Sequence, residues 1–380
     1  SSPINTKHES LKNSNARGSI SSSEEWLLVP KLLYFSLNLV IYSTNAFLFQ
    51  YVEQYWRIPK AEFALINVFQ FTSFVGALLF SRIADLTGKY RFILSGCVVG
   101  YCLFRCLLLF PEFFGETERH LKLSYFYAIN GACFFFTGGA FPILDSLVMN
   151  KLSSNSNFDK DMFGRQCLWG SIGRCIIGVV VYKLYEITGQ DLNVMFYTLI
   201  VSSVLFIITV FWGIPKDLRI KVETHDHIHT LESQADDKIS KELSAGAPSQ
   251  RIVSRPGTFY LLTKPKFFFF LGTVFVAGFI RSMTNTLRSV FITNELFLEK
   301  SVISNSIFFS VFPEIFLYFY SKKINQKIGI YWIFIIGHIA GIIRTFGCTF
   351  LRSSSKKNSY PNFPVYFCII AFESFNGINS

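Results

Sequence analysis

Charged residues are scarce in this sequence. Only 16% of its 380 residues are Asp, Glu, Lys or Arg, whereas 51% are hydrophobic and the mean hydropathy is +0.37. Soluble globular domains carry about 25% charged residues. The composition therefore excludes an ordinary soluble domain and indicates a membrane protein.

Motifs for catalysis and metal binding are also lacking. The eight cysteines show neither CxxC nor CxxH spacing and lie mostly in apolar stretches, so we expect no metal site and no disulfide framework. The sequence contains no nucleophile–base pair and no phosphate-binding glycine loop, and His225, His227 and His229 lie in a polar, solvated segment. We therefore expect neither an enzyme nor a cofactor. The net charge of +11 lies mostly in loops and tails, which reports orientation and lipid contact and predicts no nucleic-acid partner.

Long apolar runs are what the sequence contains instead. A helix needs about 20 apolar residues to cross the hydrocarbon core of a bilayer. Ten runs meet this requirement, at residues 31–52, 62–80, 92–110, 123–148, 166–187, 194–213, 266–289, 301–320, 329–350 and 363–380.

Polar segments divide these runs into two groups. Residues 1–26 are rich in Ser and Asn and predict a disordered cytosolic tail, and residues 214–263 combine charges with Pro and Gly and predict a cytosolic linker. This division predicts an N-terminal six-helix bundle at 27–213 and a C-terminal bundle at 264–380. The sequence begins without Met and reaches Ser380 within its tenth run, so we expect an incomplete second bundle, with about ten of twelve helices present.

The distribution of cations predicts a cytoplasmic N-terminus. The loops that would then face the cytosol carry Arg82, Lys89, Arg91, Lys151, Lys160, Arg165, Lys322, Lys323 and Lys327. The opposite loops have fewer cations and hold Glu112, Glu116, Glu118, Glu186 and Asp191, although Arg352, Lys356 and Lys357 break the pattern.

An internal repeat relates the two groups of runs. A shift of 241 residues aligns Gly88, Tyr90, Gly96 and Gly100 with Gly329, Tyr331, Gly337 and Gly341. The second and third runs and the eighth and ninth runs thus represent the same element in two halves, as in transporters built from parallel repeats.

The loop FSRIADLTGKYR at residues 80–91 resembles the loop between helices 2 and 3 of major facilitator superfamily transporters, whose signature is roughly G-x-x-x-D-R-x-G-[RK]-[RK]. The matching residues are Asp85, Gly88, Lys89 and Arg91, while Ser81 and Leu86 replace the first glycine and the arginine. Gly88 permits a tight turn with positive φ, and Asp85 can dock on a neighbouring helix N-terminus. The alternative is an ordinary cytosolic hairpin of a multi-pass protein.

Two further stretches are similar to a narrower group, the lactose permease-related family that contains nucleoside:proton symporters. FPILDSL at 141–147 and FGRQCLWGSIG at 163–173 match its PLLDAL-like end of helix 4 and its YGRxRLWGSxG start of helix 5. The resemblance implies an all-α membrane protein with two six-helix bundles and proton-coupled uptake of a small polar solute.

Ionisable residues within the apolar runs are the candidates for function, because a charge at membrane depth is costly. Arg174 lies near the middle of its run, Glu373 about ten residues into the last run, and Glu314 near the cytosolic end of its run. Asn38 and Asn45 share one helix face and can bind a polar ligand, or can instead hold helices together. We expect Arg174 and Glu373 to form the substrate and proton site, with Glu314 as the next candidate for the proton.

Other charges have conformational or structural interpretations. Asp145 and Arg165 can pair across a short loop as an inner gate. Arg105 and Arg344 lie toward the outer ends of their runs, where long side chains can extend to the lipid headgroups, so we expect them to be membrane anchors. Arg281 and Arg288 fit either an outer gate or an interface.

Two functions remain open at this point. The first is a secondary active transporter that moves a small polar solute by alternating access, coupled to protons, as a monomer in the plasma membrane. The alternative is a receptor or scaffold that keeps the transporter fold without transport.

The first prediction concerns topology. The N-terminal tail, the 214–263 linker and the 321–327 loop should lie on one side of the membrane, with residues 111–120 opposite. Labelling of single introduced cysteines with a membrane-impermeant reagent tests this. Labelling of the linker and of residues 111–120 from the same side would refute the ten-span topology.

Overall fold

The computed structural model describes residues 28–111, 119–154, 162–214, 264–351, 365 and 368–372, and contains no strand among them. Nine helices in these ranges are long and apolar enough to cross a membrane. They are α1 (Leu28–Trp56), α2 (Lys60–Thr87), α3 (Tyr90–Leu109), α4 (Arg119–Leu152), α5 (Phe163–Ile187), α6 (Val194–Gly213), α7 (Phe267–Glu295), α8 (Lys300–Ile328) and α9 (Tyr331–Cys348). Each corresponds to one of the first nine predicted runs, which are thereby confirmed as helices.

Several predicted features fall outside the described residues. They are the tail at 1–26, most of the tenth run at 363–380 including Glu373, and the linker at 214–263, of which only Ile214 is described. The chain divides into two compact units. The first combines Ser1–Lys216 with Arg281–Ser380, and the second is Asp217–Ile280. Of the second unit the structure describes residues 264–280, which begin α7 and carry exposed side chains such as Phe269 and Phe275. All contacts discussed below lie within the first unit.

The helices α2 and α4 show how the apolar sequence is used. On α2, Phe71, Phe74 and Leu78 are 59–68% exposed and recur at helical spacing, so they form one apolar face. The opposite face holds Gly76, where an added Cβ would lie 1.9 Å from the backbone oxygen of Phe135 on α4. In a bilayer no hydrophobic effect drives helices together, so their association depends on van der Waals packing. Small residues favour this packing because they let the two backbones approach closely.

Backbone geometry confirms the internal repeat. Both α1 and α7 end in a π-helical turn, at Val52–Trp56 and Phe291–Glu295. Each turn is followed by a residue in the left-handed conformation, Arg57 (φ 53°) and Phe297 (φ 54°), which stand 240 residues apart. The next helices, α2 and α8, begin 240 residues apart as well. Gly88 (φ 65°) and Gly329 (φ 82°) end α2 and α8, so the predicted positive φ of Gly88 is also confirmed.

The close α2–α4 contact yields a prediction about stability. Gly76→Ala places a methyl group against the backbone of α4 and should destabilise the protein by at least about 1–3 kcal/mol, the usual cost of overpacking. The matched control is Gly96→Ala on α3, where an added Cβ would meet nothing within 4 Å. Thermal unfolding of the purified proteins in detergent compares them, and equal midpoints for the two variants would contradict the prediction.

Candidate functional site

A polar cavity of about 280 Å³ lies in the first unit. Its wall combines residues of the N-terminal segment (residues 28–214) and of the C-terminal segment (residues 281–372). The lining residues are Tyr42, Asn45, Ala46, Ile66, Gln70, Phe134, Arg174, Gly178, Ser282, Asn285, Thr286, Arg288, Ile307 and Ser310. Amide, hydroxyl and guanidinium groups therefore face a space bounded mostly by apolar helices, as expected of a site for a small polar molecule.

The cavity wall contains one end of a buried ion pair. Arg174, near the middle of α5, donates from Nη2 to Oε2 of Glu314, near the middle of α8. The two side chains are only 12% and 7% exposed. The guanidinium carbon also lies 5.4 Å from the ring centroid of Tyr42, within reach of a cation–π contact. The pair thus joins the two segments at one point of the wall.

The helices α5 and α8 contact each other on both sides of this ion pair. An added Cβ on Gly178 would lie 3.6 Å from Ile307, and the hydroxyl of Ser304 donates to the Gly178 carbonyl at 3.2 Å. An added Cβ on Gly164 would lie 2.9 Å from the hydroxyl oxygen of Ser321. The helix α8 continues to Ile328, beyond the run predicted to end at 320, so Glu314 lies at mid-helix and the predicted position near a helix end was wrong.

The predicted partnership of Arg174 with Glu373 stays a prediction, because Glu373 lies outside the described residues. Within them, the carboxylate paired with Arg174 is that of Glu314, the residue that the sequence ranked next.

The two predicted asparagines of α1 have different surroundings. Asn45 lines the cavity and accepts a hydrogen bond from Arg105 at 3.1 Å. Asn38 is buried, donates to the Tyr34 carbonyl at 2.9 Å and fills the space beside Gly170, where an added Cβ would lie 2.5 Å from its Nδ2. Asn38 therefore bonds within α1 and packs against α5 without lining the cavity, whereas Asn45 lines it.

Arg105 and Arg344 are not membrane anchors, and that prediction was wrong. Both are only 2% exposed. Arg105 donates to Oδ1 of Asn130 at 2.8 Å and to Oδ1 of Asn45 at 3.1 Å. Arg344 donates to Oδ1 of Asn285 at 3.3 Å. Each guanidinium turns inward and donates to amide oxygens there, which the position of a residue along its helix does not reveal.

The loop between α2 and α3 is held by local contacts. Gly88 donates its backbone N–H to the Ala84 carbonyl at 2.8 Å, and Asp85 accepts a hydrogen bond from the Tyr90 hydroxyl at 2.8 Å. Asp85 thus contacts a side chain at the start of α3, and no docking on a helix N-terminus is found among the described residues. The backbone N–H of Lys89 donates to the Thr87 hydroxyl at 3.3 Å, and its side chain is exposed.

Arg91 anchors this loop to α6. Its Nη2 donates to the Phe211 carbonyl at 2.6 Å, and its guanidinium carbon lies 4.1 Å from the centroid of the Phe211 ring. The loop is therefore attached to α6 through Arg91 and to α3 through Asp85.

Asp145 and Arg165 do not pair with each other in the described part of the chain. Asp145 instead accepts a hydrogen bond from the Tyr34 hydroxyl of α1, and Arg165 lies 5.4 Å from the ring centroid of Phe319 on α8. The predicted ion pair across the loop is thus replaced by two contacts with aromatic side chains of other helices. Sequence reasoning missed Tyr34 because an aromatic residue in an apolar run gives no signal of polar contact.

A set of small polar residues on α7 was also missed. Ser282 donates to Oε1 of Gln70, and Thr286 donates to Oδ1 of Asn67 at 2.9 Å. The carbonyl of Ser289 accepts from Gln50 at 3.4 Å. Polar residues at positions 282, 285, 286 and 289 recur at helical spacing on a helix that begins with a long apolar stretch, and this stripe was the signal available in the sequence.

Known proteins share features of this chain at the level of fold and of family. No curated protein sequence matches the chain. A crystal structure of the nucleoside transporter NupG is similar, with a TM-score of 0.62 and 13% identity over 93% of this chain and 79% of that one. A structure of a single-residue mutant of NupG gives the same values. At this identity the similarity establishes the fold. The model of the MFS_1 like family matches residues 27–357, so the chain belongs to that family and is a multi-pass membrane transporter of the major facilitator superfamily.

Proposed function

We propose that the protein is a secondary active transporter that moves a small polar solute by alternating access, coupled to protons. The observation that carries the proposal is the buried ion pair between Arg174 and Glu314, which joins the two segments at the wall of a polar cavity. The alternative function, a receptor or scaffold that has kept the fold, has no need of such a pair.

The ion pair supplies a means of coupling. An arginine remains charged at any physiological pH, whereas a glutamate can gain a proton. A buried charge is costly without a partner. When Glu314 takes a proton, Arg174 loses its counter-charge and becomes available to an oxygen atom of the solute. Proton and solute then bind together because protonation of Glu314 leaves the charge of Arg174 unpaired and the solute compensates that charge, and the solute leaves when Glu314 releases its proton.

The cavity supports a small solute with several polar groups. Its volume of about 280 Å³ lies just below the roughly 300–1,000 Å³ of typical ligand sites, which favours a small solute. Nucleosides are the first candidates, because the similar solved structures are those of a nucleoside transporter. Glu373 remains a proposed second carboxylate of the site.

Contacts between the two segments supply candidates for gates. At one end Lys60 pairs with Glu295 at 2.5 Å, and Asn294 donates to Glu53 at 2.9 Å. In the halves related by the repeat, Glu53 and Asn294 occupy equivalent positions 241 residues apart. We propose that such contacts break and form in the transport cycle. We assign control of that cycle to the α2–α3 loop with Asp85, Gly88, Lys89 and Arg91, and to the contacts of Asp145 and Arg165.

The proposed location is the plasma membrane, with a cytoplasmic N-terminus and the protein acting as a monomer. The excess of Lys and Arg in alternate loops supports this orientation.

Replacement of Glu314 tests proton coupling. Glu314→Gln keeps an acceptor oxygen for Arg174 but cannot release a proton. The variant should retain exchange of radiolabelled uridine across proteoliposome membranes while losing its accumulation in response to a pH gradient. Glu186→Gln, an exposed carboxylate on the same helix as Arg174, should keep both activities.

Accumulation by Glu314→Gln at the wild-type level would move the proton site elsewhere, with Glu373 as the next residue to replace. If the wild-type protein catalyses neither exchange nor accumulation of nucleosides, sugars or amino acids, the receptor or scaffold function is favoured.

Replacement of Asp85 tests control of the cycle. Asp85→Asn should slow exchange at least about tenfold, while the equilibrium affinity for solute stays within about threefold, because the loop is remote from the cavity. Tyr90→Phe removes the same hydrogen bond from its other side and should slow exchange in a similar way. A large loss of affinity at a normal exchange rate would contradict this role.

A further inference from the structure

Two buried arginines occupy equivalent positions in the two segments and face the same kind of partner. Arg105 on α3 donates to Oδ1 of Asn45 on α1, and Arg344 on α9 donates to Oδ1 of Asn285 on α7. The two asparagines are 240 residues apart and the two arginines 239, so the contact is repeated with the fold. Both asparagines line the cavity. Each segment therefore contributes one arginine–asparagine pair to the cavity wall, with the asparagine lining the cavity.

Each arginine determines which way its asparagine points. A guanidinium group has five N–H donors and no acceptor, so only the amide oxygen of an asparagine can face it. The assignment of oxygen and nitrogen in these amides is thus decided by the hydrogen-bond network. The Nδ2 atoms of Asn45 and Asn285 have no hydrogen-bond partner in the described part of the chain. Their two N–H groups each remain available at the cavity.

The charge of Arg105 strengthens this arrangement. Among the described residues its hydrogen-bond partners are the neutral amides of Asn45 and Asn130, and its Nε is buried without an acceptor. A cation held in a low-dielectric interior polarises the amide bound to it, so the amide N–H groups become better donors.

Two acceptor groups at or beside the wall are occupied. Ser282 donates to the Oε1 of Gln70, and the Glu314 carboxylate is bound by Arg174. The amide N–H groups of Asn45 and Asn285 are thus donors that both segments contribute to the wall.

We infer that Arg105 and Arg344 are positioning residues that hold Asn45 and Asn285 as hydrogen-bond donors, so that the cavity selects solutes with carbonyl or carboxylate oxygens. A solute with two such oxygens can be bound from both segments at once. This inference rests on the proposed function in one respect only, that the cavity is the solute site.

Equilibrium binding to the full-length protein in detergent tests the inference without relying on transport or protons. We expect radiolabelled uridine, which has two ring carbonyl groups, to bind more tightly than glucose, which has hydroxyl groups only. Putrescine, which has no acceptor oxygen, should bind least. Loss of proton-driven accumulation would refute the coupling mechanism and leave this order intact, whereas binding of putrescine as tight as that of uridine would overturn the inference.

A matched pair of variants separates amide orientation from charge. Asn45→Asp keeps an oxygen for Arg105 but turns a second oxygen, in place of the N–H groups, toward the cavity. Asn130→Asp gives the same arginine a carboxylate at a residue that is 1% exposed and does not line the cavity. We expect Asn45→Asp to weaken uridine binding at least about tenfold, and Asn130→Asp to change it less than about threefold. Equal effects, or no effect of Asn45→Asp, would overturn the inference.

The conservative variant Arg105→Lys tests the positioning role. It is preferred to Arg105→Leu, because removal of the buried charge can prevent folding. A lysine keeps the charge but lacks the planar fork that reaches both asparagines. The Kd for uridine should rise while the Kd for putrescine does not, so the ratio of the two affinities falls. A purely structural role would change the amount of folded protein and leave this ratio unaltered, and that result would contradict the inference.

Discussion

The bilayer offers no water to an ionised side chain, so each charge within the helices must find its partner inside the protein. The ion pair between Arg174 and Glu314 meets this constraint, and much of the structure follows from it. The helices α5 and α8 must lie close enough to bring the two groups together, and the hydrogen bond from Ser304 to the Gly178 carbonyl is a second contact between them. The pair also ties the two segments of the chain together at the cavity.

A second consequence of the same constraint is the repeated arginine–asparagine contact. Arg105 and Arg344 are buried in equivalent positions, and each donates a hydrogen bond to the amide oxygen of an asparagine. A carboxylate in place of each asparagine would cancel the charge, whereas an amide leaves N–H donors free at the cavity. The duplicated fold thus duplicates a piece of binding chemistry, and the two copies meet around one site.

The sequence predicted the helices well and their side-chain partners poorly. Nine apolar runs became nine helices in the described residues because a helix satisfies its own backbone hydrogen bonds wherever the chain is apolar. The turn at Gly88 and the 240-residue repeat followed from local residue types in the same way. By contrast, Arg105 and Arg344 were assigned to the headgroups, and Asp145 was paired with Arg165. In each case the position along the helix was known and its rotation was not.

The sequence by itself determined the membrane class, the helix boundaries to within eight residues, the repeat and the family, because these depend on local composition and short motifs. Only the tertiary structure decided that Arg174 meets Glu314, that Asn45 belongs to the cavity while Asn38 packs against Gly170, and that Tyr34 binds Asp145. The physical reason is that helices apolar on nearly all sides carry little amphipathic signal. Their rotation and contacts are set by close packing at glycines and by a few buried hydrogen bonds between residues more than a hundred positions apart.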